Sequence, residues 1–478
     1  MHDTADTICA PSTPPGRSGI AVVRLCGPGT LPILQKVCAR KAAAMPLAPR
    51  RATLCPLVRP VGGVGGDATS GETPGAFLDE ALVTFFPASR SYTGEDIAEF
   101  SLHGNPVIVA ALLETLCGLG ARLAAPGEFT MRAFLGGRMD LAEAEAVHDI
   151  IAARTLYQAQ VAARQRGGAL ARELRPVKDG LVEAVADLES AVEFAEEDLP
   201  TASRQATLDL LDGICRKING HIDSFRRGRV VREGFSLALV GAPNAGKSSL
   251  FNALLGRERS IVTDMPGTTR DLVSEEAAIG GVPVRLEDTA GLRDQEGAGD
   301  DAERLGMERS RQAAIDADAV LLVVDAGRAP TAADRGLRDR LDALGVALGV
   351  VAFNKSDLPP CMTEEGKRRL AGAWRHLDVS AKTGAGVEGL RETILGQVMG
   401  GAGAGADGPL VTNLRHRQAL ERAQGHIRRG CEALAQGLSE EFALMDLRKA
   451  LDALGEITGE TGTEDLLDQI FSKFCVGK

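Results

Sequence analysis

The segment Gly241-Ala-Pro-Asn-Ala-Gly246-Lys247-Ser248 constrains the fold of this chain more than any other feature. It fits G-x-x-x-x-G-K-S/T and follows the apolar run Phe235 to Val240, which predicts a strand, a glycine-rich loop and a helix from about Lys247 to Leu255. The glycines let successive backbone N–H groups curl around a phosphate, and the helix aims the positive end of its dipole at the same oxygens. Asn244, Ala245, Gly246, Lys247, Ser248 and Ser249 form the expected phosphate set. Lys247 would bridge the β- and γ-phosphates, and the Ser248 hydroxyl would join the oxygen ligands of a Mg²⁺ ion that keeps several waters.

Four further motifs follow in order. Asp288-Thr289-Ala290-Gly291 closes the run Val282 to Leu286, where a carboxylate at a strand tip can hold a Mg²⁺-bound water and the Gly291 N–H can meet a γ-phosphate. Lys247 and Asp288 are therefore candidate catalytic groups. Asn354-Lys355-Ser356-Asp357 follows Val346 to Phe353, and Asp357 can accept from both N1–H and N2–H₂ of guanine. Adenine lacks that donor pair, so the predicted nucleotide is GTP. Ser380-Ala381-Lys382, after Leu377 to Val379, would complete the base pocket. Between the phosphate loop and Asp288 lies the turn-rich stretch Thr263 to Asp271, a candidate switch loop in which Thr269 is the expected ligand to Mg²⁺ and the γ-phosphate. Such loops order around the γ-phosphate and relax after hydrolysis.

The residue after D-T-A-G is Leu292, which cannot hydrogen-bond an attacking water, and no arginine finger is evident. Asn244 suggests how charge is met instead. Its side-chain oxygen, with backbone carbonyls of Thr263 to Thr268, could ligate a monovalent cation beside the phosphates. Asn here has a second reading, a turn residue that tolerates left-handed geometry, and taken alone that reading is the stronger.

Beyond these motifs the chain carries Asp6-Thr-Ile8 and Pro14-Pro-Gly-Arg17-Ser-Gly-Ile-Ala-Val-Val-Arg24 near its start, then Tyr92-Thr-Gly-Glu95-Asp96 and Pro126-Gly-Glu-Phe129-Thr-Met-Arg132. It ends in Phe474-Cys475-Val-Gly477-Lys478. Over essentially its whole length it resembles the tRNA-modifying GTPases called MnmE or TrmE. The resemblance implies a homodimer that works with the flavoprotein MnmG, in a heterotetramer, to add an aminomethyl or carboxymethylaminomethyl group at C5 of the wobble uridine of tRNA. The carbon would come from a tetrahydrofolate derivative, 5-formyl or 5,10-methylene, held by the N-terminal domain through Arg24, Glu99, Arg138 and Lys478. A pterin offers donors that Glu99 can accept, and a glutamate tail offers carboxylates suited to Arg and Lys. Taken bare, each of these residues reads better as a solvated charge than as a ligand.

The resemblance further implies that two G domains meet around K⁺, held by Asn244 with Thr263, Met265 and Thr268. It makes Glu303, in Glu303-Arg-Leu-Gly306, the acid that positions the attacking water. The alternative for Glu303 is an ordinary exposed acid at a helix start. The chain departs from the family pattern at Met265-Pro266, at Asn105 in His103-Gly-Asn105, at Ser18, and in the longer stretch between Arg293 and Glu303.

At 478 residues the chain should hold about three domains, because single cores rarely grow past roughly 250 to 300 residues. The expected class is multidomain α+β and α/β. Residues 1–121 are predicted as an α+β folate-binding and dimerisation domain, and 122–232 as helical. A Ras-like α/β G domain is expected at 233–400 and a second helical part at 401–478. The helical segments flank the G domain and predict one discontinuous bundle into which it is inserted, with apolar residues at helical spacing such as Leu181, Val185, Leu188 and Val192. Val61 to Gly75 and Gly400 to Gly408 read as a glycine-rich loop and a linker.

The start of the chain is unlike a signal peptide and no 18-residue apolar run exists, so the expectation is a cytoplasmic protein without a membrane partner. Nine cysteines without a C-x₂-C pair argue against a disulfide framework or a zinc site, and Cys475 is open between chemistry and packing. A net charge of −11 disfavours non-specific nucleic-acid binding, so tRNA contact must be local or shared. Arg226-Arg227-Gly-Arg229-Val-Val-Arg232 is either such a patch or a solvated helix end. The competing functional reading is an RNA or ribosome-assembly GTPase switch, which usually brings a basic RNA-binding module. A folate-dependent transferase with a vestigial switch is disfavoured because the G motifs look intact.

Overall fold

In the computed structural model the described residues are 5–38, 47–60, 76–193, 204–256, 274–288, 312, 314–346, 348–401, 410–461 and 464–477. Their contacts form two compact units, residues 1–148 with 455–478, and residues 149–454.

The first unit is built on β1 (Thr7–Pro11), β2 (Ser18–Cys26), α1 (Thr30–Val37), β3 (Thr53–Arg59), β4 (Ala76–Phe86), β5 (Ile97–Gly104), α2 (Pro106–Gly118), β6 (Ala121–Leu123), α3 (Glu128–Leu135) and α4 (Leu141–Ala152). The strands make one sheet in the order β3-β4-β5-β2-β1-β6, antiparallel except where β6 runs parallel to β1. Alternation along β2 and β5 sends Val23, Leu25, Ala98 and Phe100 to one face, where they pack with Ile33 and Leu34 of α1 and Leu112 and Leu116 of α2. Ile8, Ala10, Cys26 and Ile97 point the other way, onto Phe129 of α3.

Helix α4 opens with a reciprocal cap in which Asp140 accepts from Glu143 N (2.7 Å) and Glu143 accepts from Asp140 N (2.9 Å). Burial pushes the Asp140 carboxyl up to about 6, against the lowering effect of the Glu143 and Ala142 amides. An unfolded Asp titrates near 3.9. The folded chain thus binds this proton more tightly, so the stability it contributes below about pH 4 is lost as pH rises through 6. Asp140→Asn keeps an acceptor for the Glu143 amide. It is expected to stabilise the protein by about 1–3 kcal/mol at pH 8 and to change little at pH 4, read from melting curves at the two pH values.

The second unit begins with α5 (Leu156–Arg166), α6 (Ala169–Glu193) and α7 (Arg204–Glu233). The chain then enters an α/β domain of β7 (Phe235–Val240), α8 (Lys247–Leu255), β8 (Ser274–Ile279), β9 (Val282–Asp288), β10 (Ala319–Asp325), α9 (Ala332–Ala343), β11 (Gly349–Asn354), α10 (Glu364–Ala371), β12 (Arg375–Asp378) and α11 (Val387–Val398). It leaves through α12 (Leu414–Ala435) and α13 (Glu440–Thr458), and α14 (Glu464–Phe471) belongs to the first unit. The sheet order is β12-β11-β10-β7-β9-β8, parallel except for the edge strand β8. Strands β7 and β11 are buried at every position, as helices on both faces of a parallel sheet require.

Around this Ras-like domain the flanking helices pack on one another. Leu181, Val185 and Leu188 of α6 and Leu211, Ile214 and Ile218 of α7 are buried, as are Leu420, Ala423 and Ile427 of α12. Gly430 of α12 meets Leu447 of α13, where an added Cβ would stand 3.1 Å from the leucine Cδ2. Arg448 of α13 pairs with Glu189 of α6 at 2.7 Å. Chain on both sides of the G domain therefore builds one helical layer. In the first unit α14 packs Leu467, Ile470 and Phe471 onto Met131, Ala133 and Leu141.

Candidate functional site

The carboxyl ends of β7, β10 and β11 converge on the phosphate loop, the place where open α/β sheets take ligands. Strand β7 ends at Val240 and α8 starts at Lys247, matching the predicted strand, loop and helix. Gly246 sits at φ 89°, and a Cβ there would lie 2.3 Å from Asn354 Nδ2, so only glycine fits. Asn244 also adopts the left-handed region, at φ 61°. Its turn role is real, and its exposed side chain leaves the cation reading compatible with the backbone. The Lys247 ammonium is held over the loop, donating to the carbonyls of Gly241 (2.9 Å) and Ala242 (3.1 Å). Ser248 and Ser249 stand exposed in the first turn of α8.

Asn354 joins the two halves of the nucleotide site. It is 2% exposed, donates from Nδ2 to Ala245 O (3.0 Å) and accepts at Oδ1 from Ala381 N (3.0 Å). The phosphate loop and the Ser380-Ala381-Lys382 loop are thus set by one side chain. Ser380, fully buried, accepts from Thr383 N (3.2 Å) and donates to Asp357 Oδ1 (2.7 Å). This hydroxyl, foremost, holds the Asp357 carboxyl below its ordinary range. Lys355, at φ 63°, pairs with Asp325 at 2.7 Å. Asp325 belongs to none of the sequence motifs, and its one signal in the sequence is its place at the tip of the run Ala319 to Val324. Lys382 lies on the exposed rim.

Strand β9 runs to Asp288, which stands opposite Leu239 of β7, one residue before that strand ends. Thr263, Met265, Thr268, Thr269, Thr289, Ala290, Gly291, Glu303 and Lys478 lie outside the described residues, as do all of Val61 to Gly75 and all of Gly400 to Gly408 beyond its first two residues. The described part of the site fits a nucleoside triphosphate: a cradle that a Cβ would fill, a lysine poised over it, and a carboxylate beyond it.

In the first unit, Arg24 and Glu99 are cross-strand partners on β2 and β5, and their side chains pair at 2.7 Å. Both Arg24 contacts fall on Glu99 Oε1, and among the described residues no hydrogen bond engages Oε2. The Arg24 guanidinium also lies 5.4 Å from the Phe129 ring centroid and 5.8 Å from that of Tyr92. Arg138 is exposed and donates to Ala88 O at 2.5 Å. Asn105 caps α2, its Oδ1 accepting from Val107 N (2.9 Å) at φ −106°, so this departure from glycine costs no turn. Ser18 donates to Ile20 O (2.7 Å) at an irregularity in the β2–β5 ladder.

Residues of three separated sequence motifs meet around Arg132. Arg132, 2% exposed, donates to Asp6, Glu95 (3.1 Å) and Glu128 (3.0 Å), while Arg122 grips Glu128 through two bonds (2.8 and 2.6 Å) and reaches Asp6. Burial opposes ionisation of Glu128, but the Arg122 and Arg132 guanidiniums and the Ala125 amide outweigh it and hold the carboxyl low. Three separated motifs are therefore one ion network that ties the start of β1 to α3.

The arginine run before β7 lies in the last turns of α7. Arg229 faces Asp318 (3.4 Å), Arg232 pairs with Asp149 (2.8 Å) and Arg226 donates to Gln397 O (3.3 Å). These contacts anchor the helix end within the second unit. Cys475 is exposed, its carbonyl accepting from Gly127 N (3.4 Å).

Comparison with known proteins adds the following. A model of the GTP-binding protein TrmE N-terminus matches residues 7–138, and one of the MnmE helical domain matches residues 141–475. The chain is 43% identical over 489 residues to a tRNA modification GTPase MnmE of Heliobacterium modesticaldum, covering 99% of each chain. Against the protein so named from Aquifex aeolicus it is 41% identical over 474 residues, covering 99% of this chain and 100% of the relative. Among solved structures, the G domain of the T. maritima FeoB iron transporter aligns with 34% of this chain and 96% of that one at 26% identity, with a TM-score of 0.24. Aquifex aeolicus Era bound to GDP and AlF4⁻ aligns with 40% of this chain and 66% of that one at 23% identity, with a TM-score of 0.28.

Proposed function

The chain belongs to the MnmE family of tRNA modification GTPases, and from that premise we propose that it acts with a flavoprotein of the MnmG type to build an aminomethyl or carboxymethylaminomethyl group at C5 of the wobble uridine. It is a GTP-hydrolysing enzyme of tRNA modification. The observation that carries the guanine-specific cycle is Asp357, aimed by Ser380 and coupled through Asn354 to the phosphate loop. Ser248 and Thr269 would hold Mg²⁺, which supplies charge neutralisation at the phosphates, and Lys247 and Asp288 would serve the same end. Glu303 would orient the attacking water, since Leu292 cannot.

In this reading Asn244, Thr263, Met265 and Thr268 hold K⁺ where two G domains meet. GTPase activity is expected to be several-fold higher in K⁺ than in Na⁺, with Asn244→Ala removing the difference and leaving GTP affinity within about twofold. Equal rates in the two salts for the intact protein would sink the cation site. A tetrahydrofolate derivative would lie against Arg24, Glu99, Arg138 and Lys478, with Glu99 Oε2 accepting from the pterin. The homodimer is supported by Leu54 and Leu82, paired across β3 and β4 and 53% and 48% exposed, an apolar face that a second copy would cover. A cytoplasmic site of action accords with the described helices, none of which is long and apolar enough to cross a membrane.

Nucleoside mass spectrometry of tRNA from cells lacking this chain tests the proposal, with Asp288→Asn and Glu303→Ala complementation beside the intact gene. Loss of the wobble-uridine modification, restored only by the intact form, supports it. Unchanged nucleosides would turn the assignment to an assembly switch.

A further inference from the structure

We propose that the β8–β9 hairpin is a rod linking the GTP site to helix α5, and that Thr155 and Tyr157 are positioning residues for hydrolysis because they grip its tip. The inference rests on the GTPase reading above. Strands β8 and β9 are joined by Gly280 and Gly281 alone, with Ile279 opposite Val282 and both glycines left-handed, at φ 57° and 78°. That is a type I′ turn, the tightest hairpin available. Its narrowness is used. A Cβ on Gly280 would stand 2.7 Å from Leu395 Cδ2 of α11, and one on Gly281 would stand 2.9 Å from Tyr157 Cβ. The tip is wedged between the two helices.

The grip is polar as well as steric. Thr155 Oγ1 donates to Gly281 O at 2.6 Å and accepts from Gln158 N at 3.2 Å, so one hydroxyl caps α5 and holds the hairpin. Gln158 Nε2 donates to Arg232 O (2.8 Å) at the end of α7, just before β7. The first turn of α5 therefore holds both the hairpin tip and the entry to the central strand of the nucleotide site. Tyr157 and Val161 pack on the same core as β7, β9 and α8.

At its other end β9 reaches Asp288, about 20 Å away at the usual strand rise. In sequence the hairpin lies between the switch stretch Thr263 to Asp271 and the D-T-A-G motif, so rearrangements that follow the γ-phosphate act on it from both sides. A hydrogen-bonded pair of strands moves as one body, and a displacement at Asp288 is carried to Gly281. By reciprocity, whatever α5 engages biases the position of Asp288.

The test is hydrogen exchange of the α5 peptide, residues 155–162, in the full chain with GDP and with a non-hydrolysable GTP analogue, alongside steady-state GTPase kinetics. The expected result is exchange that differs severalfold between the nucleotides. Thr155→Val should erase that difference and lower kcat about tenfold with KM within about twofold, while Thr155→Ser restores both. Gly281→Ala, which leaves the α5 cap intact and pushes the tip off Tyr157, should act like Thr155→Val. Identical exchange with both nucleotides in the intact chain, or unchanged kcat in both variants, would overturn the inference. An intact chain that hydrolyses no GTP would instead overturn the reading beneath it.

Discussion

Asp357→Asn is expected to weaken GTP binding by about 10²- to 10⁴-fold and to admit xanthosine triphosphate in its place. The reason lies in which oxygen is already committed. Ser380 receives the Thr383 N–H and so directs its own proton at Asp357 Oδ1. In the variant the amide oxygen stays with Ser380, and the NH₂ group takes the position of Oδ2. Guanine then meets a donor with a donor, whereas xanthine, with an oxygen at C2 in place of the amino group, meets it with an acceptor. Competition binding with GTP, XTP and ATP reads the change, and a variant that keeps GTP and rejects XTP would remove Asp357 from the base site. The lowered Asp357 pKa adds a pH dependence of definite sign: GTP selectivity should be flat through neutral pH and fall only as acid protonates the carboxylate.

Gly246→Ala should be almost as damaging, with GTP affinity down about 100-fold or more. The methyl group would meet Asn354 Nδ2 at 2.3 Å on a backbone held at φ 89°. Either the loop withdraws or Asn354 does, and either movement breaks the Asn354 bond to Ala245 O that sets the phosphate loop against the base pocket. Strain of about 1–3 kcal/mol and a lost buried hydrogen bond of similar size account for the magnitude. A thermal shift by GTP that vanishes in the variant, beside a melting temperature without nucleotide lowered by only several degrees, would place the damage in the site. A variant that binds GTP normally would show that the loop tolerates the methyl group.

The nucleotide site was legible because its chemistry is local. A phosphate loop needs its strand, glycines and helix in one run, and Phe235 to Leu255 supply them in the predicted order. Helices α6, α7, α12 and α13 were legible for a related reason, since burial of Leu181, Leu188, Leu444 and Leu447 follows a spacing set by the helical turn. The β8–β9 hairpin carries a local signal too, the Gly280-Gly281 pair between Ala277 to Ile279 and Val282 to Leu286, but a short strand with two glutamates before it gives no clear period. Asp325 was missed because a lone carboxylate after an apolar run has no motif of its own.

Sequence alone determined the family, the guanine-nucleotide chemistry and the course of the long helices, because motif spacing and helical periodicity act over one or two turns of chain. Tertiary structure alone decided that Asp6, Glu95, Glu128 and Arg132 form one network, that Asn354 joins phosphate loop to base pocket, and that Thr155 and Tyr157 hold the tip of the hairpin leading to Asp288. Apart from Glu128 and Arg132, one helical turn apart on α3, these partners are separated by some 25 to 130 residues and meet only when strands and helices are packed, and nothing in such spacing encodes which buried charge or hydroxyl will face another.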